Sequence, residues 1–146
     1  MGTGGAELDG FSLPVRTWFR DAFQKPTSAQ EAAWREITAG NHALVVAPTG
    51  SGKTLAAFLH ALDRLSLTPR PSDGQVQVVY VSPLKALAVD IERNLKTPLA
   101  GIARTATNLG LDAPDIKIGI RTGDTSAKAR AALARRPPDI LITTPE

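Results

Sequence analysis

Cysteine is absent from the 146 residues, which excludes disulfides and thiolate metal sites. Histidine is nearly absent: His42 and His60 stand alone and far apart, so no zinc centre is expected and any metal should arrive with a substrate. No apolar run approaches the roughly 18 residues that a membrane span requires. The N-terminus also lacks the charged-then-apolar pattern of a secretory signal, so the expectation is a cytoplasmic protein with no membrane partner. Large charge of one sign is missing too. Seventeen basic against fourteen acidic residues leave +3, compatible with a polyanionic partner but too small to argue for one. What remains, 42% hydrophobic and 21% charged residues, is ordinary globular composition at a length typical of one domain.

Residues 1–10 hold four glycines and almost no apolar side chains, and they read as a flexible tail outside the core. From Pro14 to Phe23, Val15, Trp18, Phe19 and Phe23 recur at helical spacing. Pro26 breaks the chain, and Thr27 to Ala39 reads as a second helix ended by Gly40. The pattern then changes to alternation. Ala43 to Ala47 is an unbroken apolar run, followed by glycines and by Leu55, Phe58, Leu59, Leu62 and Leu65 on one helical face. Val76 to Val81 predicts a second strand feeding a helix that Pro98 should interrupt. Ile116 to Ile120, Ala127 to Arg135 and Ile140 to Ile142 then predict strand, helix and strand. Apolar strands separated by helices call for a parallel sheet covered on both faces, an α/β fold whose binding crevice lies at the strand C-terminal ends.

One segment carries chemistry in that setting. Ala47-Pro48-Thr49-Gly50-Ser51-Gly52-Lys53-Thr54 follows a predicted strand and opens a predicted helix, the context of a phosphate-binding loop. Gly50 and Gly52 let backbone N–H groups converge on phosphates, and the helix N-terminus adds a favourable dipole. Lys53 would reach the β- and γ-phosphates of ATP, and Thr54 would place its hydroxyl on Mg²⁺. Thr49, Gly50, Ser51, Gly52, Lys53 and Thr54 are thus the expected nucleotide ligands, Lys53 and Thr54 the expected catalytic pair and Thr54 the metal ligand.

Ala47 stands where the general loop has its first glycine, and in this the loop resembles motif I of superfamily 2 helicases. With that family in view, Ser82-Pro83-Leu84-Lys85-Ala86-Leu87-Ala88 resembles motif Ia, Arg121-Thr122-Gly123-Asp124 the T-G motif, and Thr143-Thr144-Pro145-Glu146 motif Ib, all in family order. The wording of these segments is most similar to the large helicase-related (Lhr) proteins. The resemblance implies a RecA-like P-loop NTPase fold with a mainly parallel sheet flanked by helices. It also implies that Ser82, Pro83, Lys85, Arg121, Thr122, Gly123, Asp124, Thr143 and Thr144 line a path for a single strand. Pro26-Thr27-Ser28-Ala29-Gln30 resembles the Q motif, in which the Gln30 amide would pair with adenine; Thr27-x-x-Gln30 and Ser28-x-x-Glu31 also each satisfy a helix capping box. Local structure likewise offers a plainer account of two other segments, since Ser82-Pro83 and Thr144-Pro145 are both good helix starts.

Motif II is missing: the sequence contains no Asp-Glu dipeptide. Asp124 follows a strand, but its Thr-Gly-Asp setting fits strand binding better. Residues 11–146 are therefore expected to be the N-terminal portion of a first RecA-like domain, lacking motif II and the second RecA-like domain. The parent would be an ATP-dependent helicase and translocase of DNA-repair type, moving 3′ to 5′ on single-stranded DNA and unwinding DNA or RNA–DNA duplexes. Its partner would be the rest of the helicase chain in cis, and the 146 residues alone would bind nucleotide without turnover. The competing readings are a DEAD-box-type RNA helicase, whose motif Ia would typically read P-T-R-E-L in place of Pro83-Leu84-Lys85-Ala86-Leu87, a non-catalytic nucleic-acid- or nucleotide-binding module, and a small kinase.

Overall fold

The computed structural model describes residues 8–146. Helix α1 (Leu13–Phe23) carries Pro14 in its first turn and buries Val15 and Phe19. Helix α2 (Ser28–Thr38) starts on a reciprocal cap. Thr27 Oγ1 accepts from the Gln30 N–H while the Gln30 side chain accepts from the Thr27 N–H. Gly40 follows in the left-handed region at φ 83°, open to glycine at no steric cost. Helix α3 (Lys53–Leu67) leads to strand β1 (Val78–Val81), helix α4 (Lys85–Asn108), strand β2 (Ile118–Arg121), helix α5 (Ala127–Arg135) and strand β3 (Ile140–Thr143). Among the described residues no helix is long and apolar enough to cross a membrane.

The sheet is parallel, in the order β1-β3-β2. Ile140 lies opposite Val78 and Ile118, and Thr143 opposite Val81 and Arg121. Side chains alternate across the sheet, so Ile140 and Ile142 point to one face with Val78, Tyr80, Ile118 and Ile120. That face meets Val15 and Phe19 of α1, Phe58, Leu59 and Leu62 of α3, and Leu95 and Ile102 of α4 in one core. Helix α1 packs on α4 through a close approach: a Cβ at Gly101 would fall 2.1 Å from Trp18 Nε1, so only glycine admits the indole. On the other face Gly119 lies under Leu133 of α5 and Pro138, while Val79 and Val81 stay more than half exposed.

Three expectations are corrected. Ala43 to Ala47 joins no ladder among the described residues, leaving three paired strands instead of four, and Leu44 and Val46 are 91% and 85% exposed. An apolar β-branched run specifies an extended chain, but a strand also needs a neighbour for its N–H and C=O groups, and the run cannot supply one. Pro98 does not interrupt α4, which continues through it to Asn108. The ring removes one main-chain bond, but Ala88, Leu95, Ile102 and Ala106 on either side of it are buried, and that packing holds the helix together. Leu8, assigned to the tail, is a core residue: a bond from the Phe11 N–H to its carbonyl folds the segment back, burying both side chains. Residues 1–7 of the expected tail lie outside the described residues.

A buried carboxylate fastens the end of the sheet where the strands begin. Asp139 is 4% exposed, and its Oδ2 accepts from the Lys117 N–H at 2.8 Å. Its Oδ1 lies 3.4 Å from Arg70 Nε, and the Arg70 guanidinium also donates to the Pro137 carbonyl. The β1 approach, the β2 approach and the turn into β3 are thereby joined at one residue. Asp139→Ala is expected to cost about 1.5–3 kcal/mol, the range for a hydrogen bond to a charged group. Asp139→Asn, which keeps an acceptor for Lys117, should cost less. Urea denaturation with an unchanged m-value checks both.

Candidate functional site

The loop from Ala47 to Gly52 leaves the extended segment and turns sharply into α3. Gly50 and Gly52 adopt φ 85° and 74°, conformations open to glycine and strained for other residues. Gly52 is also the N-cap of α3, so the first N–H groups of that helix lack intrahelical partners and face outward from the turn. Four of the loop's carbonyls, by contrast, are occupied. Lys53 Nζ donates to the Ala47 carbonyl at 2.7 Å, Ser51 Oγ to the Pro48 carbonyl at 2.6 Å, Thr27 Oγ1 to the Ser51 carbonyl at 2.8 Å and Gln30 Nε2 to the Gly52 carbonyl at 3.1 Å.

Gln30 therefore joins the start of α2 to the loop. It is 4% exposed, its Oε1 accepting from the Thr27 N–H and its Nε2 donating to Gly52. A Cβ on Gly52 would lie 2.2 Å from Nε2, which leaves no room for a side chain. Phe11 is packed edge-on against Trp34 at 5.1 Å in the core. Thr54, the second residue of α3, is half-buried. Among the described residues no three His, Cys, Asp or Glu side chains gather to hold a metal ion.

The second group of expected residues meets along one edge of the sheet. Because the strands are parallel and in register, Val81, Thr143 and Arg121 end at one level, and the segments beginning at Ser82, Thr144 and Thr122 leave from there. Pro83, Lys85, Arg121, Gly123 and Asp124 are exposed, and Thr122 and Thr143 are half-buried. Lys85 Nζ lies 3.0 Å from Asp124 Oδ1 and 3.9 Å from Glu146 Oε2. The hydrogen bond to Asp124, reinforced by its charge, raises the Lys85 pKa above the ordinary lysine value.

Two of the expected strand contacts are turned inward. Ser82 is fully buried; its N–H donates to the Thr143 carbonyl and its hydroxyl to the Leu84 carbonyl at 2.9 Å. The N-cap of α4 is Leu84, so Ser82 does not cap the helix either. Thr144 is 5% exposed with its hydroxyl buried, and residues 144–146 form no helix start. In both cases the residue directly after a strand continues into the packed layer before the chain emerges. Arg130 of α5 was not foreseen. Its guanidinium donates to the Thr122 and Gly123 carbonyls at 3.1 Å each, bracing the turn that Thr122 and Thr125 close with their own side-chain bonds. A cation one turn into the helix after a strand-end loop is a weak sequence signal, since most such residues are simply solvated.

The sequence profile of the DEAD/DEAH box helicase family matches residues 27–146. An Lhr helicase of Mycolicibacterium smegmatis is 58% identical over all of this chain, and an Lhr helicase/uracil glycosylase of Escherichia coli is 49% identical over 94% of it. The chain covers 10% and 9% of those proteins, so it spans about a tenth of the length of the curated relatives it matches. The solved structure of Mycobacterium smegmatis helicase Lhr bound to ssDNA and AMP-PNP is similar with a TM-score of 0.89 at 57% identity, over 95% of this chain and 17% of that one. The resemblance to the Lhr helicases and the RecA-like α/β fold are thereby borne out.

The bond from Gln30 to Gly52 can be tested on its own. Gln30→Glu keeps the shape but sets a carboxylate oxygen against the Gly52 carbonyl. The expected loss is about 1–3 kcal/mol, the cost of leaving a buried group unpaired, measured as a lower urea midpoint.

Proposed function

Since the chain belongs to the DEAD/DEAH box helicase family, we propose that it forms the ATP-binding part of a helicase motor that tracks single-stranded DNA. The observation that carries this reading is the state of the loop's oxygens. The carbonyls of Ala47, Pro48, Ser51 and Gly52 each accept from a protein donor, and with the Ser51 N–H turned to the Pro48 carbonyl this leaves the N–H groups of Gly50 and Gly52 and the first turn of α3 for an anion. When a triphosphate binds, Lys53 exchanges the Ala47 carbonyl for the β- and γ-phosphates. Mg²⁺ would arrive with the nucleotide, and the Thr54 hydroxyl would help to hold it, where the ion would offset phosphate charge. Gln30 acts chiefly on the loop; its second N–H and second lone pair are what remains for the adenine edge.

The edge formed by Pro83, Lys85, Arg121, Thr122, Gly123 and Thr143 takes the sugar-phosphate backbone. Backbone contacts carry little base information, so binding should be nearly indifferent to sequence and strongly salt-dependent. Single-stranded DNA as substrate, 3′-to-5′ movement, unwinding of DNA or RNA–DNA duplexes and a repair setting rest on the likeness to the Lhr helicases. The 146 residues bind nucleotide without hydrolysing it, because no Asp-Glu pair is present to hold Mg²⁺ and position water; the rest of the helicase chain supplies that function in cis.

Lys53→Ala is expected to weaken binding of a fluorescent ATP analogue roughly 10- to 150-fold, the loss of one charge-assisted bond to phosphate. Equal titration of wild type and variant would show that this loop is not a nucleotide site. Arg121→Ala should lower the slope of log affinity for single-stranded DNA against log salt by about one. Phosphate release stimulated by DNA from residues 1–146 alone would overturn the assignment of hydrolysis to the rest of the chain.

A further inference from the structure

Asp124 is an anion on an edge read as a path for phosphates, and a phosphodiester approaching it is repelled. Its carboxylate is engaged by Lys85 at 3.0 Å, and Glu146 approaches the same ammonium at 3.9 Å. Gly123 lies beneath the pair: a Cβ there would come within 3.4 Å of both Lys85 Nζ and Glu146 Oε2. The lysine thus reaches from the start of α4 to the segments that follow β2 and β3, and one ammonium spans all three strand ends. The carboxylate is not on a loose tip. The Asp124 N–H donates to Thr122 Oγ1, the Thr122 N–H donates to Thr125 Oγ1, and Arg130 holds the Thr122 and Gly123 carbonyls from behind. The exposed charges of the edge, Lys85 and Arg121 against Asp124 and Glu146, cancel.

We infer that Asp124 is the counter-ion of Lys85 and not a strand contact: it holds the ammonium across the three strand ends and competes with a backbone phosphate for it, setting strand affinity through Lys85. The inference rests on reading this edge as a strand-binding surface. A phosphate that reaches Lys85 replaces one anion with another, so the contact adds less affinity than a free ammonium would. Removing the Asp124 charge while keeping its size leaves Lys85 to the strand.

The test is a double-mutant cycle in the intact protein, with a mixed-sequence single-stranded DNA titrated by fluorescence anisotropy at several salt concentrations. Wild type, Asp124→Asn, Lys85→Gln and the double variant are compared, with ATP-analogue affinity as a check on folding. Asp124→Asn is expected to bind the strand about two- to fivefold more tightly at low salt, the scale of an exposed ion pair. With Lys85→Gln in place, the same substitution should gain less than about 1.5-fold, because the two residues act as one unit. An equal gain with and without Lys85 overturns the inference, since Asp124 then acts by general repulsion. Weaker binding by Asp124→Asn also overturns it, since the carboxylate then serves to present Lys85 to the strand. If Asp124→Asn does not fold, Glu146→Gln gives the same comparison, with a smaller gain that again requires Lys85. Absence of strand binding by every version, with nucleotide binding intact, refutes the strand-edge reading itself and is distinguishable from both failures.

Discussion

The position of β3 between β1 and β2 is the constraint on which the rest of the structure depends. Its four residues hydrogen-bond on both sides, and both neighbours run parallel to it. Ile140 and Ile142 are fully buried against three helices, so a one-residue slip would turn them to the opposite face and put Leu141 and Thr143 in their place. That penalty fixes the register, and the register aligns Val81, Thr143 and Arg121. Parallel pairing does the remaining work. Strands of one direction end on the same edge, so three segments distant in sequence leave the sheet side by side. Asp139 secures the opposite end, where it bonds the Lys117 N–H as the chain enters β2 and pairs with Arg70 ahead of β1.

The loop before α3 depends on a different joint. Thr27 and Gln30 satisfy each other across the first turn of α2, and the same two side chains donate to the Ser51 and Gly52 carbonyls. A helix cap and a loop brace are thus one set of atoms. The two readings of Pro26 to Gln30, capping box and ligand motif, are consequently not rivals, because the cap orients the amide that reaches Gly52. The close approach also explains why Gly52 is needed twice over, for its positive φ and for the 2.2 Å that a Cβ would leave to Gln30.

Much of this was legible from residue patterns, and the exceptions have a common cause. The span of α5, the capping of α2, the order of strand and helix after Val76 and the glycine turn into α3 follow from periodicity, turn residues and local spacing. The departures concern partners that local pattern cannot see. Ala43 to Ala47 has the composition of a strand but no neighbour among the described residues. Pro98 is a helix breaker whose effect is outweighed by burial on both sides of it. Ser82 and Thr144 carry hydroxyls suited to a strand contact, but each follows its strand so directly that packing claims the side chain. Asp124 sits in the expected motif, while the identity of its partner, 39 residues earlier in the sequence, depends on the sheet register.

Both candidate sites solve one electrostatic problem in the same way. A peptide loop presents as many carbonyl oxygens as N–H groups, and the oxygens repel phosphate. In the loop before α3 the oxygens are drawn back by Thr27, Gln30, Ser51 and Lys53. In the segment after β2 they are drawn back by Arg130, which takes the Thr122 and Gly123 carbonyls, while Thr143 Oγ1 takes that of Arg121 at 2.6 Å. Each side-chain donor reduces the local negative field of the carbonyl it takes. Three of the donors, Ser51, Lys53 and Arg130, come from the loop itself or from the helix that follows it. The two candidate surfaces are thus shaped by local chain reversal, and the slight net charge of the whole sequence has little bearing on the local field at either one.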